Sequence, residues 1–261
     1  MKIVMTLCAT VLLLANAGCA HTDRRAAADP SPSATTTPAP LTPSPPAPTD
    51  AAGNPIVRPS CSAPAEGRYL HVPGPKVIAS VLILGDGPRG VVVGAQANGS
   101  ICQTIAFGRL LTRQGYHVAL FDWQDPYAET MITATKALIA DGASRVVLGG
   151  FSRGALVALG VAPALAPKVA GVFSISGGPS ATEGFPTVAS LSRYSGPILL
   201  VSGADDAVFP KGTTEAIAKA HHGSETVLVV PGSAHALGLL DSSDGPRVQA
   251  AIDLFLRQTL R

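Results

Sequence analysis

The chain has 261 residues, 14% of them charged, and a formal net charge of +2 at pH 7. That length holds one α/β domain of ordinary size plus an export segment, and a balance so close to neutrality excludes the basic footprint of a nucleic-acid binder. The four cysteines, Cys8, Cys19, Cys61 and Cys102, lack C-x-x-C spacing and no H-E-x-x-H occurs, so neither a metal nor a cofactor is implied.

Met1 to Ala20 reads as an export signal. Lys2 precedes an apolar run from Ile3 to Leu14, too short to count as a transmembrane helix, and small residues follow. Ala15-Asn16-Ala17 fits the small-x-small rule of ordinary secretion. Ala17-Gly18-Cys19 resembles the end of a bacterial lipobox, whose cysteine is lipidated and becomes the mature N-terminus, although Asn16 stands where that pattern usually has an aliphatic residue. Residues 21–60 are rich in Pro, Ala, Thr and Ser and bury too little apolar surface to offset chain entropy, so they read as a disordered tether. A tether is useful after an anchor. The expectation is therefore a lipid on Cys19 and attachment to the cell membrane, with free secretion as the alternative.

The domain spans residues 61–261. Arg68–Val72 and Lys76–Leu84 read as strands separated by Pro73-Gly74-Pro75, and Gly90–Gly94 as a short central strand after a second turn. A helix over Gln103–Gln114, a strand over Tyr116–Phe121 and a helix over Pro126–Ala140 follow. Then come a strand over Arg145–Gly150, a helix over Arg153–Leu165, and strands at Val169–Ile175, Ile198–Val201 and Thr226–Val230. Helices at Lys211–Ala220 and Arg247–Leu260 complete the pattern. A hairpin start followed by strand–helix alternation predicts a mostly parallel sheet with helices on both faces.

Gly150-Phe151-Ser152-Arg153-Gly154 sits where a buried strand meets a helix. G-x-S-x-G in that context is a strained turn that lifts the serine hydroxyl above the sheet at a helix N-terminus, where backbone amides favour developing negative charge. A serine hydroxyl is a poor nucleophile, so a histidine must take its proton and a carboxylate must orient that histidine. Both residue types follow, each after a strand: Asp205-Asp206 in Ser202–Pro210, and His235 in Gly232-Ser233-Ala234-His235.

With these three loops in the order Ser, Asp, His, residues 61–261 resemble the α/β-hydrolase family. The resemblance implies an α/β-hydrolase fold and a serine hydrolase, foremost a carboxylic-ester hydrolase. It assigns Ser152 as nucleophile, His235 as base and Asp206 as acid, since the family's acid commonly lies three residues after the strand-ending glycine, here Gly203. It also implies an oxyanion hole from the backbone amides of Gln96 and Arg153, although Ala95 stands where the family often has histidine. The substrate would be a small ester or an exposed acyl group, with no cofactor. Peptide or lactone hydrolysis on the same triad, or a non-catalytic surface-binding lipoprotein, are the alternatives. Only about twenty residues, 176–197, lie where relatives insert a cap, which implies a shallow, open site without a large cap domain.

Other residues carry blander readings. Asp122 is expected to support a loop, Trp123 and Tyr127 to pack or line the pocket mouth, and the Arg153 side chain and the pair His221-His222 to be solvated. Cys8 leaves with the signal and Cys19 takes the lipid, so Cys61 and Cys102 remain in an oxidising compartment and are expected to form a disulfide.

Overall fold

The computed structural model describes residues 57–178 and 191–261, together with Thr49. The export segment, Cys19, nearly all of the tether and most of the short cap region lie outside the described residues. In chain order the elements are β1 (Arg68–Pro73), β2 (Ile78–Leu84), β3 (Arg89–Gly94), α1 (Ile101–Arg113), β4 (His117–Phe121) and α2 (Tyr127–Ala140). Next come β5 (Arg145–Phe151), α3 (Arg153–Leu165), β6 (Val169–Ile175), β7 (Ile198–Gly203) and α4 (Lys211–Ala220). The strand β8 (Glu225–Val230), a single turn α5 (Gly238–Asp241) and α6 (Gly245–Thr259) end the fold.

The strands form one eight-stranded sheet in the order β1-β2-β4-β3-β5-β6-β7-β8. β2 runs antiparallel to both its neighbours and the pairs from β4 to β8 are parallel. Every residue of β4, β6 and β7 is buried. A parallel strand covered on both faces has no solvent side to alternate with, which is why these segments are continuous apolar runs. One face packs on α1 and α6 through Ile101, Ile105, Leu111, Val248, Ile252 and Phe255. The other packs on α2, α3 and α4 through Met131, Leu138, Val157, Ala158 and Ile217. In the first layer Phe107 meets Phe151 edge-on at 5.4 Å and Phe173 at 6.2 Å. Gly149 makes room for that cluster, because a Cβ there would stand 2.1 Å from the Phe173 ring.

The observed elements follow the predicted ones closely, and the departures have physical causes. α1 starts two residues early, at Ile101. Its N-cap residue Ser100 makes no side-chain cap bond; the Asp122 carboxylate accepts the Ile101 N–H at 2.8 Å instead, so the cap comes from a distant loop. β7 runs on through Ser202 and Gly203 because Gly203 still pairs with Val230 of β8. The turn α5 has no counterpart in the sequence reading.

Cys61 and Cys102 are joined in a disulfide, with Cα atoms 5.5 Å apart. The bridge ties the segment entering the domain to the first turn of α1. Arg109 of α1 reinforces it by donating to the Cys61 carbonyl at 2.9 Å and to Glu66 at 2.7 Å. Closing a loop of this length restricts the unfolded chain by roughly 4 kcal/mol in the chain-entropy model.

Candidate active site

β5, β7 and β8 run parallel, so the loops after them emerge on one edge of the sheet. That edge receives Ser152, Asp206 and His235 in turn. Ser152 stands between β5 and α3 at φ 51 and ψ −110, a left-handed backbone that is costly for a residue with a Cβ. Close approach of β3, β5 and α3 enforces the turn. A Cβ on Gly150 would lie 2.6 Å from the Gly94 carbonyl oxygen, and one on Gly154 only 2.1 Å from it. The glycines on either side of Ser152 are thus required by packing. Ala95 locks the same junction, its carbonyl accepting from the Gly154 amide at 3.2 Å and from Trp123 Nε1 at 3.0 Å.

The structure pairs His235 with Asp206, not with Asp205. His235 Nδ1 lies 2.8 Å from Asp206 Oδ2, while Asp206 Oδ1 accepts the Val208 and Phe209 amides at 2.9 and 3.1 Å. Asp206 is buried and Asp205 is exposed. Burial by itself would raise the Asp206 carboxyl, but bonds from His235, the Phe209 amide, the Ser176 hydroxyl and the Val208 amide outweigh it and hold the group below the ordinary carboxylate value. A carboxylate at Nδ1 fixes the ring proton there and leaves Nε2 as the basic nitrogen. Phe209 covers one ring face, nearly parallel to His235 at 5.9 Å.

Ser152 Oγ makes no hydrogen bond to His235 among the described residues; the two are tied through consecutive residues of one chain segment. The Ser152 amide donates to the Ile175 carbonyl at 2.9 Å, and the Ala236 amide, next to His235, donates to Ser176 Oγ at 3.0 Å. Catalytic hydrogen bonds in a free enzyme are commonly looser than in its substrate complex.

The two expected oxyanion donors differ in state. Arg153 opens α3, so its amide has no intrahelical acceptor. The Gln96 amide is occupied: it donates to Gln103 Oε1 at 2.9 Å, while Gln96 Oε1 accepts the Leu237 amide at 3.2 Å. Gln96 therefore bridges the loop after β3 to the histidine loop, and Gln103 of α1 sits on the amide that an oxyanion would need. Gln103 was not among the residues singled out from sequence.

One expectation is refined and another corrected. The Arg153 side chain is half-buried and still meets solvent, but it is engaged by the protein. Its guanidinium donates to the Ala97 carbonyl at 2.8 Å and to Asn98 Oδ1, and lies over the Tyr127 ring at 4.4 Å. These contacts hold the loop carrying Gln96, whose Ala97 is itself at φ 46. His221 does cap the end of α4, but it is not solvated. It is buried, its Nε2 faces the Gly196 carbonyl at 2.9 Å and its ring stacks on Tyr194; burial lowers its basicity. His222 is exposed. Trp123 packs edge-on against Phe121 and Tyr127. Among the described residues no group of three or more His, Cys, Asp or Glu could hold a metal ion.

Residues 123–240 match the family model described as Phospholipase/Carboxylesterase. No curated protein matches the chain significantly. Among solved structures it is similar to dienelactone hydrolase from Anabaena variabilis, with TM-score 0.64 and 16% identity over 75% of this chain and 99% of that one. It is also similar to the Pyrococcus furiosus esterase Pf2001, with TM-score 0.63 and 14% identity over 75% of this chain and 92% of that one. A puromycin-hydrolyzing peptidase of Mycobacterium tuberculosis aligns with TM-score 0.62 and 19% identity over 74% of this chain and 40% of that one. Sheet order, the strained turn at Ser152 and these likenesses agree, and the chain has the α/β-hydrolase fold.

Proposed function

We propose that the protein is an exported serine hydrolase that cleaves carboxylic esters through Ser152, His235 and Asp206. The observation that carries this reading is the pairing of His235 with the buried Asp206, set on the same sheet edge as a serine held at positive φ. His235 Nε2 takes the Ser152 proton as Oγ attacks the acyl carbonyl, and Asp206 stabilises the imidazolium. The Arg153 amide donates to the oxyanion, and the Gln96 amide joins it once Gln103 Oε1 gives way. His235 then returns the proton to the leaving alcohol, and water releases the acyl group from Ser152 by the same route. A match to a phospholipase/carboxylesterase model and the esterase among the similar structures support ester chemistry. The peptidase among them supports amide hydrolysis on the same residues as the second reading.

Export belongs to the proposal, with Cys19 as the lipidated residue and the membrane as its partner. The Cys61–Cys102 bridge supports it, since disulfides persist in oxidising compartments. Among the described residues no helix is long and apolar enough to cross a membrane.

Labelling with a fluorophosphonate probe, alongside hydrolysis of nitrophenyl esters of graded acyl length, tests the enzyme reading. Wild-type protein should label and turn over, and Ser152→Ala should do neither, at a loss of about 10³-fold or more. Wild-type rates in Ser152→Ala would remove the nucleophile, and an unlabelled, inactive wild type would leave the binding-lipoprotein alternative.

A further inference from the structure

Ser176 follows β6 directly and takes no part in the steps above. It is fully buried, and its backbone stands at φ 49. Glycine relieves such strain, and Gly177 and Gly178 come immediately afterwards, yet this position carries a side chain. The contacts around it converge on the three proposed catalytic residues. Its preceding carbonyl, on Ile175, accepts the Ser152 amide at 2.9 Å, and its own amide donates to Val201 of β7 at 2.7 Å. Its hydroxyl oxygen accepts the amide of Ala236 at 3.0 Å, and Ala236 is also at positive φ, 52. An amide donor on that oxygen leaves the hydroxyl proton for an acceptor. The Asp206 carboxylate is the acceptor it favours, and the Ser176 hydroxyl is among the groups that keep that carboxyl below its ordinary value.

We infer that Ser176 is a positioning residue, whose buried hydroxyl fixes Asp206 and the His235 loop in register with the Ser152 turn. The inference rests on the triad reading and adds a fourth side chain to it. The hydroxyl does two things at once. It gives the buried carboxylate a donor in addition to the amides of Val208 and Phe209, and it sets where the His235 loop leaves β8.

Ser176→Ala removes the hydroxyl and keeps the strain; Ser176→Gly removes both. For each variant and for wild type, kcat and KM on a short nitrophenyl ester would be measured from pH 5 to 9, with Tm and the fluorophosphonate labelling rate. Both variants should show kcat lowered about tenfold with KM within about twofold, and slower labelling to match. A carboxylate that has lost a donor holds the imidazolium more tightly. The acid limb of the profile should therefore move to higher pH in both variants, a change that loosened packing alone does not produce. Ser176→Gly should melt no lower than Ser176→Ala and still be no faster. A wild-type kcat and pH profile in Ser176→Ala would overturn the inference, as would recovery of activity in Ser176→Gly, which would assign the effect to backbone strain. Wild-type protein that neither labels nor hydrolyses would instead sink the triad reading itself.

Discussion

Two histidine–aspartate pairs stand at opposite edges of the same sheet, each with an N···O distance of 2.8 Å. His235–Asp206 lies where the parallel strands end. His117–Asp141 lies where they begin, at the first residue of β4 and just after α2. Distance does not separate them; surroundings do. His117 is fully buried and both ring nitrogens are engaged, Nδ1 with the Gly87 carbonyl at 3.0 Å and Nε2 with Asp141. Asp141 is further paired with the Arg68 guanidinium, so this cluster ties β1, β4 and α2 together and leaves neither ring nitrogen without a partner. His235 keeps a quarter of its side chain exposed, and its carboxylate engages only Nδ1. Backbone strain divides the edges in the same way: Ala97, Ser152, Ser176 and Ala236, the described non-glycine residues at positive φ, all belong to the edge of His235. Among the described residues that strain gathers at the edge of the proposed active site and not at the edge of His117, which supports reading the two pairs differently.

The sharpest way to break this comparison is to delete each histidine. His235→Ala should lower ester hydrolysis by about 10³-fold or more while changing Tm little. His117→Ala should do the reverse, leaving the Gly87 carbonyl and the Asp141 carboxylate without the ring, lowering Tm and keeping activity per folded molecule. Activity assays set beside thermal melts decide it, and equal activity losses in the two variants would erase the distinction. A smaller contrast lies within the acid loop. Asp206→Asn should cost roughly 10²–10³-fold in kcat, because the imidazolium loses its counter-charge. Asp205→Asn, at an exposed position whose amide alone is engaged, with Gly232, should stay within about twofold. A larger loss in Asp205→Asn would move the acid to that residue.

What the sequence made legible was whatever is encoded locally. G-x-S-x-G marks its own turn because its two glycines, within five residues and either side of the serine, meet one packing constraint, and parallel strands reveal themselves as apolar runs. The order Ser, Asp, His followed from loops that each trail a strand. What stayed hidden depends on partners far along the chain. The cap of α1 is supplied by Asp122, 21 residues away, so the helix start was misplaced. The Arg153 guanidinium reaches back 56 residues to Ala97, and the Gln96 side chain reaches 141 residues to Leu237; no window of sequence contains either contact. His117 read as one more residue of a buried strand because its partners, Gly87, Asp141 and Arg68, come together only in the folded sheet. Ser176 gave no signal either, since a serine before two glycines looks like any turn.

The smallest effect expected is a pH dependence of stability at the structural edge. Burial by itself would raise the Asp141 carboxyl, but hydrogen bonds from Arg68 and His117 and their charge outweigh it, so the group sits below its ordinary value. A carboxylate lowered by folding binds its proton more weakly in the native than in the unfolded chain. Its contribution is therefore fully present above the unfolded value and is lost as pH falls through the folded one. Asp141→Asn should lower stability at neutral pH by about 1 kcal/mol, because His117 is buried but Arg68 is half in solvent, which replaces part of its bond. The Tm difference between wild type and variant should then narrow as pH drops below about 4, where the unfolded chain's carboxyl begins to take up its proton, and vanish once the folded one is protonated as well. Melting curves from pH 7 to 3 measure this directly. Because Asp141 stands at the edge remote from Ser152, the kcat of folded Asp141→Asn should match wild type throughout. A Tm difference that stays constant with pH would show that Asp141 acts through shape rather than charge, and a fall in kcat would show that the two edges are coupled.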